Sequence, residues 1–297
     1  MNRINILSPE RLKAEKAIWV NPVGGLGDVL MLSTALKASY DMYGKKFHLV
    51  RRTRYTEFFK HHVAICEIGH PTSNDDIITN DYWNREEFLD LRNKALDINL
   101  KMFGVTDQLD DLYWAVPEID TQTELLLSEI PWTDKTIVIS VSSDSPRKVM
   151  HPMKWHIIVN ELVAAGCFVV QIGTRHDVPI KGAYCLTGTT TPSQIYHILR
   201  KASMVITHDN FIMHAAKEAH IPTISIFGPT ESSRYAYSEH FVIQNDVNKC
   251  PEYRNCLGPH VSDNYGKRCP FEDRHCMNDT NEGKIIDIVL SQLAKHK

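Results

Sequence analysis

Four groups of residues in this 297-residue chain could do chemistry. The first is Gly24-Gly-Leu-Gly-Asp28, a glycine-rich turn that closes on a carboxylate. Glycines there let the backbone turn sharply and let a ligand or a second segment come close. The carboxylate either caps a helix start, by satisfying unpaired N–H groups and complementing the helix dipole, or serves as a base. The turn lacks G-x-G-x-x-G spacing and no Lys-Ser/Thr follows it, so it is neither a dinucleotide fingerprint nor a P-loop. The second group is spread over LTGTTTPSQI at 186–195, ASMVITHDNFIMHAA at 202–216 and IPTISIFGPT at 221–230. Within it, Asp209 reads as a helix cap or a ligand contact, and His214 as a partly buried helix residue or a site residue.

The third group is the run Lys45-Lys46-Phe47-His48-Leu49-Val50-Arg51-Arg52-Thr53-Arg54-Tyr55, with five basic residues around one strand. It is either a solvated strand end or a surface for an anionic acceptor. The fourth is a quartet of cysteines. Of seven in the chain, Cys250, Cys256, Cys269 and Cys276 fall in the last 48 residues, with five, twelve and six residues between them. That spacing lacks tight C-x-x-C knuckles. Four thiolates suit zinc or iron, with His260 and His275 as substitute ligands. The other reading is free thiols or two disulfides tying down an irregular loop. Four protein ligands would leave no open position, so a metal there would be structural.

The elements that position these residues follow from hydrophobic period. Ala17–Val20 reads as a strand, and a helix from about Val29 to Tyr43 lines up Val29, Leu32 and Leu36. Phe47–Val50 is the next strand, and another helical stretch begins at Thr56. The pattern restarts at Thr136–Val141, followed by a helix carrying Trp155, Ile158, Val159, Leu162 and Val163. Strand Cys167–Ile172, helix Ser193–Lys201, strand Met204–Thr207, helix Ile212–Ala219 and strand Thr223–Phe227 come next. A last helix, Lys284–Lys295, aligns Ile285, Ile286, Val289, Leu290 and Leu293. Alternating β and α in both halves predicts an α/β protein of two doubly wound domains with parallel sheets. The joint is expected near Pro131–Lys135, giving domains 1–133 and 134–297, the second with a Cys-rich segment at 250–276 and the terminal helix. The stretch 75–129 shows no clear period.

Composition narrows the function classes. With 43% hydrophobic and 23% charged residues the chain reads as soluble and globular. Lys and Arg total 33 against 36 acidic residues, a formal charge of −3, which argues against a general nucleic-acid coat. The N-terminus is charged throughout its first 16 residues, unlike a signal peptide, and no window approaches the roughly 18 apolar residues of a membrane span. A cytoplasmic location is expected, where thiols and metal sites outnumber structural disulfides.

The combined pattern of GGLGDVLMLSTALKA, the Asp209–His214 helix start and the Phe-Gly-Pro-Thr strand end resembles glycosyltransferase family 9, the ADP-heptose:lipopolysaccharide heptosyltransferases, over essentially the whole chain from Ile18. The resemblance implies a GT-B fold of two Rossmann-like domains facing each other across a cleft, acceptor on the N-terminal domain and nucleotide-sugar donor on the C-terminal one. It implies inverting transfer that needs no metal or other cofactor, with Asp28 as general base. Donor contacts map to Arg147 or Lys148, Thr187, Gly188, Thr189, Asp209, Asn210, Phe211, His214 and Thr230, with Arg234 as a further candidate. The acceptor side maps to Gly25, Gly27, Arg51, Arg52 and Arg54. The family's usual Thr-Gly is Asn210-Phe211 here, which leaves the donor sugar open between heptose and a relative.

Some family 9 subgroups, including heptosyltransferases that modify autotransporter proteins, carry a four-cysteine cluster ending in Cys-Met, as Cys276-Met277 does here; iron is the metal associated with that subgroup. The expected acceptor is a bacterial surface glycan. A protein, a hydroxylated DNA base, a GT-B epimerase or phosphorylase reaction, and an inactive metal-stabilised binding module are the alternatives.

Overall fold

The computed structural model describes residues 1–90, 92–109, 111–245, 250, 267–269 and 275–295. The chain divides into two α/β units: Met1–Pro117 with Ser233–Tyr235, and Glu118–Ser232 with Ala236–Lys297. The division falls earlier than the joint expected at Pro131–Lys135. The reason is the helix Thr121–Glu129, N-capped by Asp120, which packs within the second unit.

The first unit contains β1 (Asn2–Ile4), α1 (Pro9–Lys13), β2 (Ile18–Asn21), α2 (Leu26–Tyr43), β3 (Phe47–Val50), α3 (Thr53–Phe59), β4 (Ile65–Gly69), β5 (Asp76–Thr79) and α4 (Ala95–Met102). Single 3-10 turns at Tyr82–Asn84 and Glu86–Leu89 lie between β5 and α4. The sheet order is β1-β5-β2-β3-β4, and every pairing is parallel. Parallel sheets are covered on both faces. Accordingly Trp19 and Val20, which point to opposite faces of β2, are both buried, as are Phe47 and Leu49 of β3 and Val29, Leu32 and Leu36 of α2. Phe58 of α3 stacks on Trp114 at 4.6 Å between ring centres. Gly44 ends α2 at φ +68°, its N–H donating to Tyr40 O at 2.7 Å, a conformation that glycine adopts without a Cβ penalty.

The second unit contains α5 (Thr121–Glu129), β6 (Thr136–Ser140), α6 (Pro152–Ala164), β7 (Phe168–Ile172), β8 (Tyr184–Cys185), α7 (Pro192–Leu199), β9 (Met204–His208), α8 (Phe211–Glu218), β10 (Thr223–Phe227), α9 (Ser232–Tyr235, whose last three residues group with the first unit), β11 (Phe241–Gln244), α10 (His275–Asn278) and α11 (Glu282–Lys295). The sheet order is β11-β10-β9-β6-β7-β8, again all parallel. Its core gathers Ile137, Ile139, Trp155, Ile158, Ile206 and Ile226, and α11 docks on it through Ile285 and Val289. Pro192 at the first position of α7 and a reciprocal Thr191–Gln194 capping box fix where that helix begins.

From β2 the first sheet winds outward through β3 and β4, and β5 then lies on the other side of β2, beside the edge strand β1. From β6 the second winds outward through β7 and β8, and β9 then lies on the other side of β6. The switch lies between β2 and β5 in the first unit and between β6 and β9 in the second. The carboxyl ends of strands flanking such a switch diverge, and the crevice they leave is where open α/β sheets bind ligands. Among the described residues no helix is long and apolar enough to cross a membrane.

Candidate functional site

In the first unit, Asp28 is the third residue of α2, directly after the turn that follows β2. Its Oδ2 accepts from Gly25 N–H at 2.7 Å, half of a capping box, since Gly25 has no side chain to reciprocate. Its Oδ1 accepts from the Tyr82 hydroxyl at 2.6 Å. Tyr82 lies just past β5, so the contact bridges the two strands of the switch point. The same ends are tied by Val23 N–H to Asn80 Oδ1 at 2.7 Å and Asn21 Nδ2 to Thr79 Oγ1 at 3.3 Å. Gly24 is at φ +93°, and a Cβ there would sit 2.4 Å from Asp28 Oδ2. Glycine is therefore required at 24 for the carboxylate to reach the turn. The Tyr55 hydroxyl, from α3, donates to Gly24 O and holds the turn from the other side.

The structure shows the cap reading of Asp28 directly. One oxygen caps the helix and the other is held by a phenol, and the carboxylate remains only half-buried. Tyr82 was not anticipated from the sequence. Its only signal was its place just after DIIT, a short strand within a segment that shows no period.

The basic run does not form one patch. Lys45 and Lys46 precede β3, and Arg51, Arg52 and Arg54 follow it, so they stand at opposite ends of a strand of about 13 Å. Lys45 is buried and donates to Ala14 O and Lys16 O at 2.6 and 2.7 Å, a structural role. Arg51, Arg52 and Arg54 are exposed at the carboxyl end. Arg51 donates to Ile68 O, Arg52 donates through two nitrogens to Asn21 Oδ1, and Arg54 lies 5.7 Å from the Tyr55 ring centre. Gly25 is the N-cap of α2 and Gly27 its second residue.

In the second unit, Asp209 and Asn210 leave β9 at the switch point. Asn210, not Asp209, is the N-cap of α8: its Oδ1 accepts from Ile212 N–H at 2.8 Å. Its Nδ2 reaches across to β6, donating to Ser142 O at 2.7 Å and Ser140 Oγ at 3.1 Å. One side chain thus caps the helix and stitches the two strand ends. Asp209 is left to the site. Its Oδ2 takes the Lys148 ammonium at 2.8 Å and the Thr230 hydroxyl at 2.7 Å, and its carbonyl takes the Ser143 hydroxyl at 3.1 Å.

Burial of Asp209 disfavours its charge, but the Lys148 ammonium and the Thr230 hydroxyl outweigh this and hold its pKa below the usual carboxylate value. His214 lies in the first turn of α8, and burial pushes its pKa down to about 4, so it is neutral at pH 7. Its Nδ1 is 2.6 Å from the Tyr237 hydroxyl.

Lys148, Asp209, Thr230 and His214 are therefore brought together. Arg147 is buried and its Nε donates to Lys267 O at 3.2 Å. Phe211 opens α8, half-buried. Thr187, Gly188 and Thr189 follow β8 at the outer edge. Gly188, at φ +72°, donates to Gly173 O at 2.8 Å, while Thr187 pairs with Cys185 Sγ and Thr189 with Leu186 O. Between these two places Asp177, unread in the sequence, accepts from Ser142 Oγ at 2.7 Å and Thr174 Oγ1 at 2.6 Å and fixes the loop after β7.

A family model for glycosyltransferase family 9 (heptosyltransferase) matches residues 101–256, more than half of the chain. The chain belongs to glycosyltransferase family 9. Its activity is that of a glycosyltransferase, and its two parallel α/β units are those of the GT-B fold. The ADP-heptose LPS heptosyltransferase II of E. coli is similar over 94% of this chain and 99% of that one, with TM-score 0.67 and 12% identity. The iron-containing dodecameric glycosyltransferase TibC from enterotoxigenic E. coli H10407 is similar over 95% and 76%, with TM-score 0.70 and 15% identity. The TibC complex with ADP-D-beta-D-heptose gives TM-score 0.73 and 14% identity over 100% and 78%. No curated protein matches the chain.

The cysteine quartet of this family 9 chain is only partly within the described residues. Cys250 and Cys269 are half-buried and Cys276 is buried in α10, whereas Cys256 and His260 lie outside the described residues. Among the described residues no three His, Cys, Asp or Glu side chains gather as metal ligands would.

Proposed function

We propose that this family 9 chain is an inverting transferase that moves a heptose or a related sugar from a nucleotide-sugar donor to a hydroxyl of a bacterial surface glycan. The observation that carries this reading is that each sheet's switch point holds one chemically distinct cluster. The first unit offers a carboxylate at the start of a helix, and the second offers a lysine beside a helix start suited to phosphate.

In this reading the second unit binds the donor, as supported by the ADP-D-beta-D-heptose complex of the similar TibC. Lys148, Arg147 and the start of α8 face the diphosphate, and Thr187–Thr189 with Thr230 line the nucleotide. The first unit binds the acceptor, with Arg51, Arg52 and Arg54 attracting anionic groups on the glycan. The acceptor oxygen attacks the anomeric carbon and Asp28 takes its proton as that bond forms. The bond from the anomeric carbon to the diphosphate oxygen breaks on the opposite face, so the configuration inverts. Charge growing on the leaving diphosphate is met by the basic side chains and the helix dipole.

A structural zinc or iron at Cys250, Cys256, Cys269 and Cys276 is a further part of the proposal, supported by the likeness to an iron-containing protein. Elemental analysis of the purified chain tests it: about one metal per chain supports the site, and none removes it. The donor assignment is tested by a thermal-shift screen over nucleoside diphosphates and their sugars, because a ligand of the native state raises its melting temperature. A shift with ADP or ADP-heptose supports it, and no shift with any sugar nucleotide overturns it.

A further inference from the structure

His214 and Tyr237 form a buried pair beside the Asp209 cluster. The rings meet edge to face at 83°, with the hydroxyl 2.6 Å from Nδ1. The phenol is held from several sides. Lys217, one turn further along α8, lies 5.8 Å from its ring centre and is paired with Glu239. His240 packs edge-on against it at 5.2 Å and is itself held by Ser225 Oγ at 2.9 Å. The charged groups facing His214 are Asp209 and Lys148, and those around Tyr237 are Lys217, Glu239 and Asp209.

A neutral imidazole carries one N–H and one lone pair, and its neighbours decide which nitrogen has which. Burial pushes the Tyr237 hydroxyl upward, reinforced by the carboxylates of Glu239 and Asp209, so it keeps its proton. That hydroxyl has no other hydrogen-bond partner among the described residues. If Nδ1 carried the proton, the phenolic hydrogen and the Nε2 lone pair would both lack a described partner. If the phenol donates to Nδ1, only the Nε2 N–H remains, and it is available to a ligand.

We propose that Tyr237 is a positioning residue of the donor site: its hydroxyl fixes His214 in the tautomer protonated on Nε2, so that the ring offers an N–H to an oxygen of the nucleoside diphosphate. The proposal rests on the donor reading above and adds the residue that sets the polarity of one of its contacts. The opposite tautomer would present a lone pair to an oxygen that is itself an acceptor, which repels the leaving group.

Two measurements test it. The first is 15N NMR of the ligand-free full chain at pH 7, with the His214 ring assigned by its loss in His214→Gln. The expected result is a pyridine-type Nδ1 and a pyrrole-type Nε2, and a proton on Nδ1 overturns the proposal. The second is calorimetric titration with ADP of the wild type, Tyr237→Phe, His214→Gln and the double variant. Phenylalanine keeps the ring packing, and the glutamine amide places an N–H close to where Nε2 stood. Tyr237→Phe should weaken ADP binding about tenfold, the scale of one hydrogen bond, and should have no further effect in the His214→Gln background. Unchanged affinity in Tyr237→Phe, or equal losses in both backgrounds, overturns the proposal. Wild-type protein that binds no nucleoside diphosphate removes the donor reading as well, whereas a failure confined to the tautomer and to Tyr237→Phe leaves that reading intact.

Discussion

Replacing Lys148 by Met would leave Asp209 buried with only the Thr230 hydroxyl on its charged oxygen, and the consequence can be worked through. Asp209 is 5% exposed and the Lys148 side chain 11%. For charges roughly 3–4 Å apart, an effective dielectric near 20 gives roughly 4–6 kcal/mol of attraction. Breaking a buried pair by removing one partner costs about 3–5 kcal/mol. The loss has a ceiling, because the stranded carboxylate can take up a proton. From an ordinary pKa of 3.8, protonation at pH 7 costs about 4 kcal/mol, and at pH 5 less than about 2 kcal/mol.

In the variant the folded pKa of Asp209 rises above its unfolded value, so the native state binds the extra proton and the deficit against wild type shrinks as pH falls. Lys148→Met should therefore cost about 3–4 kcal/mol at pH 7 and under about 2 kcal/mol at pH 5. Adding Asp209→Leu should recover much of the loss. Hydrogen exchange at the amides of β6 and β9 reads the second unit separately from the first. A cost below about 1 kcal/mol at pH 7, or one that does not change with pH, would refute the reasoning.

Three further outcomes are expected. Tyr82→Phe removes the hydroxyl that holds Asp28 Oδ1 and should slow transfer about tenfold, the scale of one hydrogen bond, with donor affinity unchanged; an unchanged transfer rate would deny the phenol that positioning role. Asn210→Ala removes both the cap of α8 and the stitch to Ser142, and should lower the stability of the second unit by about 2 kcal/mol in urea titration; a change under about 0.5 kcal/mol would speak against that double role. Burial holds His62, His214 and His240 near pKa 4 and His208 near 3, below the usual 6.5. Between about pH 6.5 and 4 the unfolded chain binds protons that the native chain refuses, so stability should fall on acidification by up to about 1.4 kcal/mol per pH unit for each histidine; equal stability at pH 7 and pH 5 would contradict this.

The parts of the fold legible in the sequence were those whose burial leaves an unambiguous period. Thr223–Phe227 is buried at all five positions and its limits were read to the residue. The five aligned residues of α6 marked a helix in which all but Val163 are buried. Strands at sheet edges were harder. β4 is Ile-Cys-Glu-Ile-Gly with two exposed positions, and β1 has one buried residue in three, so neither carries a period.

The candidate site was legible where motif and topology coincide, as in Asp209, Lys148 and Thr230. It was not legible where a contact joins distant segments. Tyr82 meets Asp28 across 54 residues and Tyr237 meets His214 across 23, and no spacing rule reports either. The basic run is divided, because residues close in sequence on either side of a strand, such as Lys45 and Arg51, stand at its opposite ends.

The most direct test of the central claim compares wild type with Asp28→Asn. Heptose transfer from ADP-heptose to a lipopolysaccharide core lacking heptose is read by mass spectrometry, and donor binding by calorimetry. The account predicts unchanged donor affinity and transfer reduced by at least about 10²-fold, the lower end for loss of a general base. Full transfer activity in Asp28→Asn would contradict it.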